Sequence, residues 1–207
     1  MPILEIYTDI DTIPSTTDSV ISPGRQLSVG HSLEDASVQP FSLSPMSRLN
    51  VLAGAMVAEA TQADLYVTGN ERASYPLGAG QLLAERYPDI HPILEVNSPT
   101  ALASARNIAP ILRQMIRTSG LVEVVIASDE TQGVRLADMF KDQRIPVRGI
   151  AVAHRIVRSS VLPEDRMLAT AYEHDRYRRL EDMKQRGLRA LDPHGTRIEG
   201  IARLVRP

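Results

Sequence analysis

The chain has 207 residues, 43% of them hydrophobic, and a formal charge of -2 from 23 Lys plus Arg against 25 Asp plus Glu; it has no cysteine. That length and apolar fraction suffice for one buried core, and the balanced charge gives no basic face for nucleic acid. Without cysteine there is no disulfide framework, thiol nucleophile or Cys-ligated metal site. With no signal-like start and no apolar run of roughly 18 residues, the expectation is a cytoplasmic protein without a membrane span.

In chain order, Ile3 to Tyr7 reads as a first strand opening into Thr8-Asp9-Ile10-Asp11. Residues 12–44 are rich in Ser, Thr, Pro and Gly and are expected to form an irregular excursion or lid, with Arg25 to Leu33 as its one plausible extended segment. Ser44-Pro45 supplies an N-cap and a first-turn proline, and Leu49, Leu52, Ala53, Met56 and Val57 recur at helical spacing, which predicts a helix ending near Gln62. Ala63 to Thr68 predicts a strand, Leu77 to Tyr87 a helix, and Ile93 to Val96 a strand. Ser98-Pro99 then repeats the cap-plus-proline start of a helix that Pro110 would kink or interrupt. Val124 to Ala127 feeds through a tight turn into a helix carrying Val134, Leu136, Ala137 and Phe140. Val147 to Ala153 is a further strand. Residues 163–207 read as a long charged helix and tail, the helix spanning Pro163 to Arg186 with Met167, Leu168, Ala171, Leu180 and Met183 as its apolar contacts.

Strands alternating with helices of this length predict one α/β domain over residues 1–207. Its form would be a Rossmann-like three-layer sandwich with a mostly parallel central sheet of about five strands. In such a sheet Thr68-Gly69-Asn70, Glu95 with Ser98, and Ser128 all fall at carboxyl ends of strands, on the edge where ligands bind. Asp9, Asp11 and His154 would join them if the outer strands are also parallel. Helix N-termini after Ser98 and Ser128 aim backbone N–H groups at that edge and suit a phosphate or carboxylate. The competing account is that Ser44, Ser98 and Ser128 only cap their own helices. Arg135, one turn into its helix, could hold an anion bidentately or lie along the surface, and Glu95 could bind a ribose hydroxyl or accept backbone N–H bonds. The five His show no close metal-ligand spacing, so no metal site is expected. Asp9-x-Asp11 after an apolar strand, with Thr68, locally resembles the way haloacid-dehalogenase-type phosphotransferases present a nucleophile and an acid, without a late acidic pair to complete a magnesium site.

The succession "SRLNVLAGAMVAEA", "ADLYVTGN", "ILEVNSPTALASARN" and "VVIASDETQGVRLADMF" resembles the DUF218 (YdcF-like) family, which includes bacterial envelope-associated proteins. The resemblance implies a Rossmann-like fold with a small-molecule site, and for some members S-adenosylmethionine binding. It places Arg48, Thr68, Gly69, Glu95, Ser98, Thr100 and Arg135 at family positions. Where the family carries a second glycine this chain has Asn70, and where it carries a His three residues before Arg135 this chain has Gln132, which hydrogen-bonds but does not titrate near neutrality. The resulting expectation is an anionic, nucleotide-like ligand at the carboxyl edge, held by Arg48, Thr68, Gly69, Asn70, Glu95, Ser98, Thr100, Ser128, Gln132 and Arg135. Alternatives are a hydrolase or transferase acting on a phosphorylated metabolite or envelope precursor, and a degenerate non-catalytic scaffold. Homo-oligomerisation stays open.

Overall fold

The computed structural model describes residues 8–14, 17–23, 43–69, 75–98, 100–120, 122–174, 179, 183, 186–188, 190–192 and 194–198. Their strands are β1 (Thr8–Ile10), β2 (Ser19–Pro23), β3 (Asp64–Thr68), β4 (Ile93–Glu95), β5 (Val124–Ser128) and β6 (Val147–Val152). Their helices are α1 (Pro45–Thr61), α2 (Tyr75–Arg86), α3 (Ala101–Ser119), α4 (Glu130–Asp142), α5 (Ala153–Val157) and α6 (Pro163–His174). The six strands form one sheet in the order β1-β6-β5-β2-β3-β4, and every pairing is parallel. From β2 onward the order is that of a doubly wound Rossmann-like sheet, with β2 at the centre and the chain reversing its direction of travel between β2 and β5. β1 is added outside β6. No helix among the described residues is long and apolar enough to cross a membrane.

Alternation along the strands assigns the two faces. Val20, Leu65, Val67, Val125 and Ala127 join a core cluster with α1, Ala79 and Leu83 of α2, α5, and Ala169 and Tyr172 of α6. Ile21, Tyr66, Val124 and Ile126 face the opposite cluster, built from α3 and α4. The helices therefore lie in two layers with the sheet between them, and the inner strands β2, β3 and β5 bury both sides. Two glycines set how closely helices approach. A Cβ on Gly54 of α1 would sit 3.0 Å from Leu65 Cδ1 and 3.3 Å from Ser22 Cβ, and one on Gly133 of α4 would sit 2.5 Å from Ile150 Cγ2. A larger residue at either place would force the layers apart.

Helix starts follow local chemistry. Ser44 Oγ accepts the Ser47 N–H at 3.2 Å, Pro45 occupies the first turn, and α1 ends where Gln62 turns left-handed at φ 57°. Ser98 and Ser128 are not caps: Thr100 Oγ1 accepts the Ala103 N–H at 3.1 Å to start α3, and Asp129 Oδ1 accepts the Gln132 N–H at 2.8 Å to start α4. Each strand-to-helix turn runs one or two residues beyond the serine before the backbone becomes helical.

Several expectations change in detail. Ser19–Pro23, inside the stretch expected to be irregular, is the central strand; its two apolar residues, Val20 and Ile21, are both fully buried, one on each face. Residues 24–42, including Arg25 to Leu33, lie outside the described residues, as do Ile3 to Tyr7. Pro110 does not interrupt α3, because it is exposed and the carbonyl it leaves unmatched can be solvated. On α6 the buried side is Asp165, Ala169 and Tyr172, and Leu168 packs partly buried against the core as expected; Met167, 65% exposed, and Ala171, also exposed, face away from it. Met183 is exposed, and Leu180 lies outside the described residues.

Candidate functional site

β2 and β5 are clamped together at their amino ends. Thr17 Oγ1 donates to the Glu123 carbonyl at 2.9 Å, and Asp18 Oδ2 accepts the Glu123 N–H at 2.6 Å. Their pairing then runs from Ser19–Val124 only to Ile21–Ile126. Each strand continues with its other neighbour, β2 with β3 as far as Pro23–Thr68 and β5 with β6 as far as Ser128–Val152. The two central strands thus part over their last two residues. That opening lies at the carboxyl edge, at the point where the strand order reverses, the place where open α/β sheets hold ligands.

One wall of the opening is the start of α1, which passes over it at Gly54 and brings Ser44, Ser47 and Arg48 to the carboxyl edge. Arg48 is half-buried, and its Nε has no hydrogen-bond partner among the described residues. The other wall is the β5–α4 junction. Ser128, fully buried, donates from Oγ to Gln132 Oε1 at 3.4 Å, and Gln132 and Arg135 are 9% and 6% exposed. Residues three apart share a helix face and side chains lean towards the helix start, so Arg135 reaches back along the Gln132 side. Its Nε has no hydrogen-bond partner among the described residues. Burial lowers the pKa of this guanidinium from its ordinary value and the charge of Asp192 raises it; an arginine so placed is still a cation. Burial pushes the Asp192 carboxyl up, but the N–H groups of Ile198 and Arg197, the charge of Arg135 and the Thr196 N–H together hold it below its usual range.

A second polar group lies at the end of β4. Glu95 Oε1 accepts the Asn97 N–H at 2.9 Å and Asn107 Nδ2 at 3.0 Å, and Asn107 Nδ2 also reaches Ser98 Oγ at 3.1 Å. Glu95 Oε2 is buried without a hydrogen-bond partner among the described residues. Gly69 ties this end to β3, its N–H donating to the Glu95 carbonyl and its own carbonyl accepting the Ser98 N–H, both at 2.9 Å.

The expected site residues therefore fall into groups. Ser128, Gln132 and Arg135 form the α4 wall, Arg48 stands on the α1 wall, and Glu95, Ser98 and Gly69 gather at the end of β4. Thr68 Oγ1 donates to Ser104 Oγ at 3.0 Å and Thr100 caps α3, so both hydroxyls serve the fold. Asn70 lies outside the described residues. At the opposite sheet edge Asp11 Oδ1 is 2.6 Å from Arg155 Nη1, and Arg155 Nη2 is 3.7 Å from Glu130, so a cation already answers both carboxylates. The side chain of Asp9 is outside the described residues. His154, at the end of β6, turns its ring towards Tyr172 with centroids 5.9 Å apart. Among the described residues no group of three or more His, Cys, Asp or Glu is placed to hold a metal ion.

Sequence reasoning missed Asn107, Ser104 and Asp192. The first two sit in mid-helix with no local signature, but Asp192-Pro193-His194-Gly195 is a cluster of turn formers in the sequence, and His194 and Gly195 do lie in a bend. No family model, curated protein or solved structure matches the chain.

Proposed function

We propose that this protein binds an anionic, nucleotide-like small molecule at the carboxyl edge of its sheet, across the opening between β2 and β5. The observation that carries this reading is the parting of those two strands beside Arg135, a buried cation whose Nε is unsatisfied. An entering phosphate or carboxylate would accept from the guanidinium and from the first turn of α4, and a charge-assisted bond of this kind contributes about 1.5–3 kcal/mol. Arg48 would approach the same group from the α1 wall. Three strand spacings of about 4.8 Å separate β5 from β4, so Glu95 lies roughly 14 Å along the edge. A nucleotide-sized ligand spans that distance, and the unsatisfied Glu95 Oε2 suits a sugar hydroxyl at its far end. S-adenosylmethionine, which carries a carboxylate at one end and a ribose in the middle, is within this class. Gln132 would read a donor or acceptor on the ligand without exchanging a proton.

Calorimetric titration with S-adenosylmethionine, adenosine monophosphate and inorganic phosphate tests the reading. At least one should bind, and Arg135→Ala should weaken it by about 1.5–3 kcal/mol while the circular dichroism spectrum is kept. Equal affinity in a folded Arg135→Ala protein, or no binding of any of the three, would overturn it.

A further inference from the structure

β4 is the last strand on its side of the sheet and, among the described residues, pairs with β3 alone. Its register fixes where its side chains go. Leu94 lies beside Val67, which belongs to the α1 cluster, and Ile93 lies beside Tyr66, which belongs to the α3–α4 cluster, so the two leave the strand on opposite faces. Each face carries a helix. On one, a Cβ on Gly80 of α2 would lie 3.7 Å from Leu94 Cδ1, and Leu77 is one turn before Gly80 on the same side of that helix. On the other, Asn107 Nδ2 of α3 donates to Glu95 Oε1 at 3.0 Å. α3 joins two parallel strands and so runs against them. From that contact, two residues back along β4 to Ile93 and four residues on along α3 to Ile111 cover about 6.6 Å and about 6 Å in the same direction, which sets Ile111 over Ile93.

Leu77, Leu94, Ile93 and Ile111 are 44%, 38%, 42% and 42% exposed. They are four of the eight large apolar side chains that stand exposed among the described residues, gathered round one three-residue strand. A free sheet edge is ordinarily guarded by a charge or a covering element. The opposite edge has such a guard, Asp11 just beyond β1 being paired with Arg155. At β4 the one charged residue is turned inward: Glu95 Oε1 accepts the Asn97 N–H and Asn107 Nδ2, and Oε2 is buried. The Glu95 carbonyl accepts the Gly69 N–H and so points at β3; backbone groups alternate along a strand, so the N–H and C=O of Leu94 point outward.

We propose that this edge is the interface of a symmetric homodimer, in which β4 pairs antiparallel with β4 of a second copy about a two-fold axis at Leu94. Such an axis, normal to the sheet, sets like edges antiparallel and keeps each helix layer on its own side. Leu94 then opposes its own copy and exchanges both backbone hydrogen bonds with it, while the Ile93 side chains meet diagonally on the other face beside Ile111. A lone strand from another protein would satisfy the Leu94 backbone but leave Leu77 and Ile111 bare; a second three-layer edge covers all four. Charge does not oppose the contact, because Gln81, one turn beyond Leu77, and Asn107 and Gln114, on either side of Ile111, are uncharged. Size agrees as well. Three layers make the edge about 30 Å thick, and the 12 residues of α2 run about 18 Å, a flat area on the order of 500 Å² whose rugged accessible surface approaches the roughly 800 Å² that each partner gives to a standard interface.

Sedimentation equilibrium of the full chain from about 1 to 100 μM tests this, with Leu77→Glu and Ile111→Glu on the two layers and Met167→Glu, an exposed apolar position on α6, as the control. The unaltered chain should sediment at twice its 22.8 kDa. Leu77→Glu and Ile111→Glu should each raise the dissociation constant at least about tenfold, since every change occurs twice in the interface, and Met167→Glu should leave it unchanged. Amide exchange at Leu94 should be slow in the dimer and fast in Ile111→Glu. Circular dichroism reports whether each variant is folded; if one is not, the other, on the opposite layer, decides. A monomer at every concentration overturns the proposal and leaves the edge to a strand from another protein. A dimer that both Leu77→Glu and Ile111→Glu leave intact, or one in which the Leu94 amide exchanges fast, overturns it too.

Discussion

His194, in the bend after Asp192, pairs its Nδ1 with Asp142 Oδ2 of α4 at 2.6 Å. Its hydrogen bond to Asp142, then the charge of that residue and those of Asp138 and Asp192, raise its pKa above the ordinary 6.5 against a small opposing effect of burial. A raised folded-state pKa means that the stabilisation is fully present below pH 6.5 and is lost as pH rises through the raised value. The side chain is 65% exposed, so solvent screens most of the interaction and the effect belongs to this corner of the molecule. Nuclear magnetic resonance titration of the His194 ring should give a midpoint above 6.5 that moves down in Asp142→Asn; a midpoint at or below 6.5 in the unaltered chain would refute the pairing. Asp142 and His194 are far apart in sequence, and nothing in either local pattern announces the other. Gln132 and Arg135 were legible as neighbours because helical spacing alone sets them on one face, whereas the counter-charge Asp192 comes from a distant segment.

Among the elements, α4 depends on its first turn. Asp129 accepts from the Gln132 N–H at 2.8 Å and from Thr131 Oγ1 at 2.9 Å, so one carboxylate satisfies an orphan donor and complements the positive end of the helix. Asp129→Ala should cost about 1 kcal/mol, within the 0.5–2 kcal/mol range of cap removal, and Asp129→Ser should recover most of it in urea denaturation. No difference between the Ala and Ser variants would mean that the cap contributes nothing. Elements with strong periodicity or flanking punctuation were readable: α1 between Ser44-Pro45 and Gln62, β5 from an unbroken apolar run, α4 from Val134, Leu136, Ala137 and Phe140. β2 escaped because Ser-Val-Ile-Ser-Pro offers two apolar residues in a stretch full of turn formers. Its strand character comes from two neighbours that bury it, which is tertiary context overriding local composition. The same limit explains α3, whose cap is Thr100 and not the Ser98-Pro99 pair that looks more like a helix start.

Across the whole molecule, the sheet grades from a fully buried centre to short edges. Val20, Ile21, Val125 and Ile126 have no exposed surface, while β1 is three residues long and pairs only with β6, through Thr8–Gly149, Asp9–Ile150 and Ile10–Ala151. Amides of β1 should therefore exchange through local opening, well ahead of those of β2 and β5, which should exchange only with global unfolding. Equal protection in both would show that β1 is part of the cooperative centre. The placement of β1 has a consequence for the order in which the fold can be made on the ribosome. The chain reaches β1 before any other described strand, yet the partner of β1 is the last strand of the sheet to be synthesised. β2, β3 and β4 can assemble as they emerge, but the flank of β2 that receives β5, and then the site for β1, do not exist until residues 124–152 have left the exit tunnel. Until then the nascent chain carries an apolar central strand with one unpaired side, a template for wrong partners. Closing the sheet with β1 ties its earliest strand to its latest, a long-range contact that makes completion of the edge a late event in synthesis.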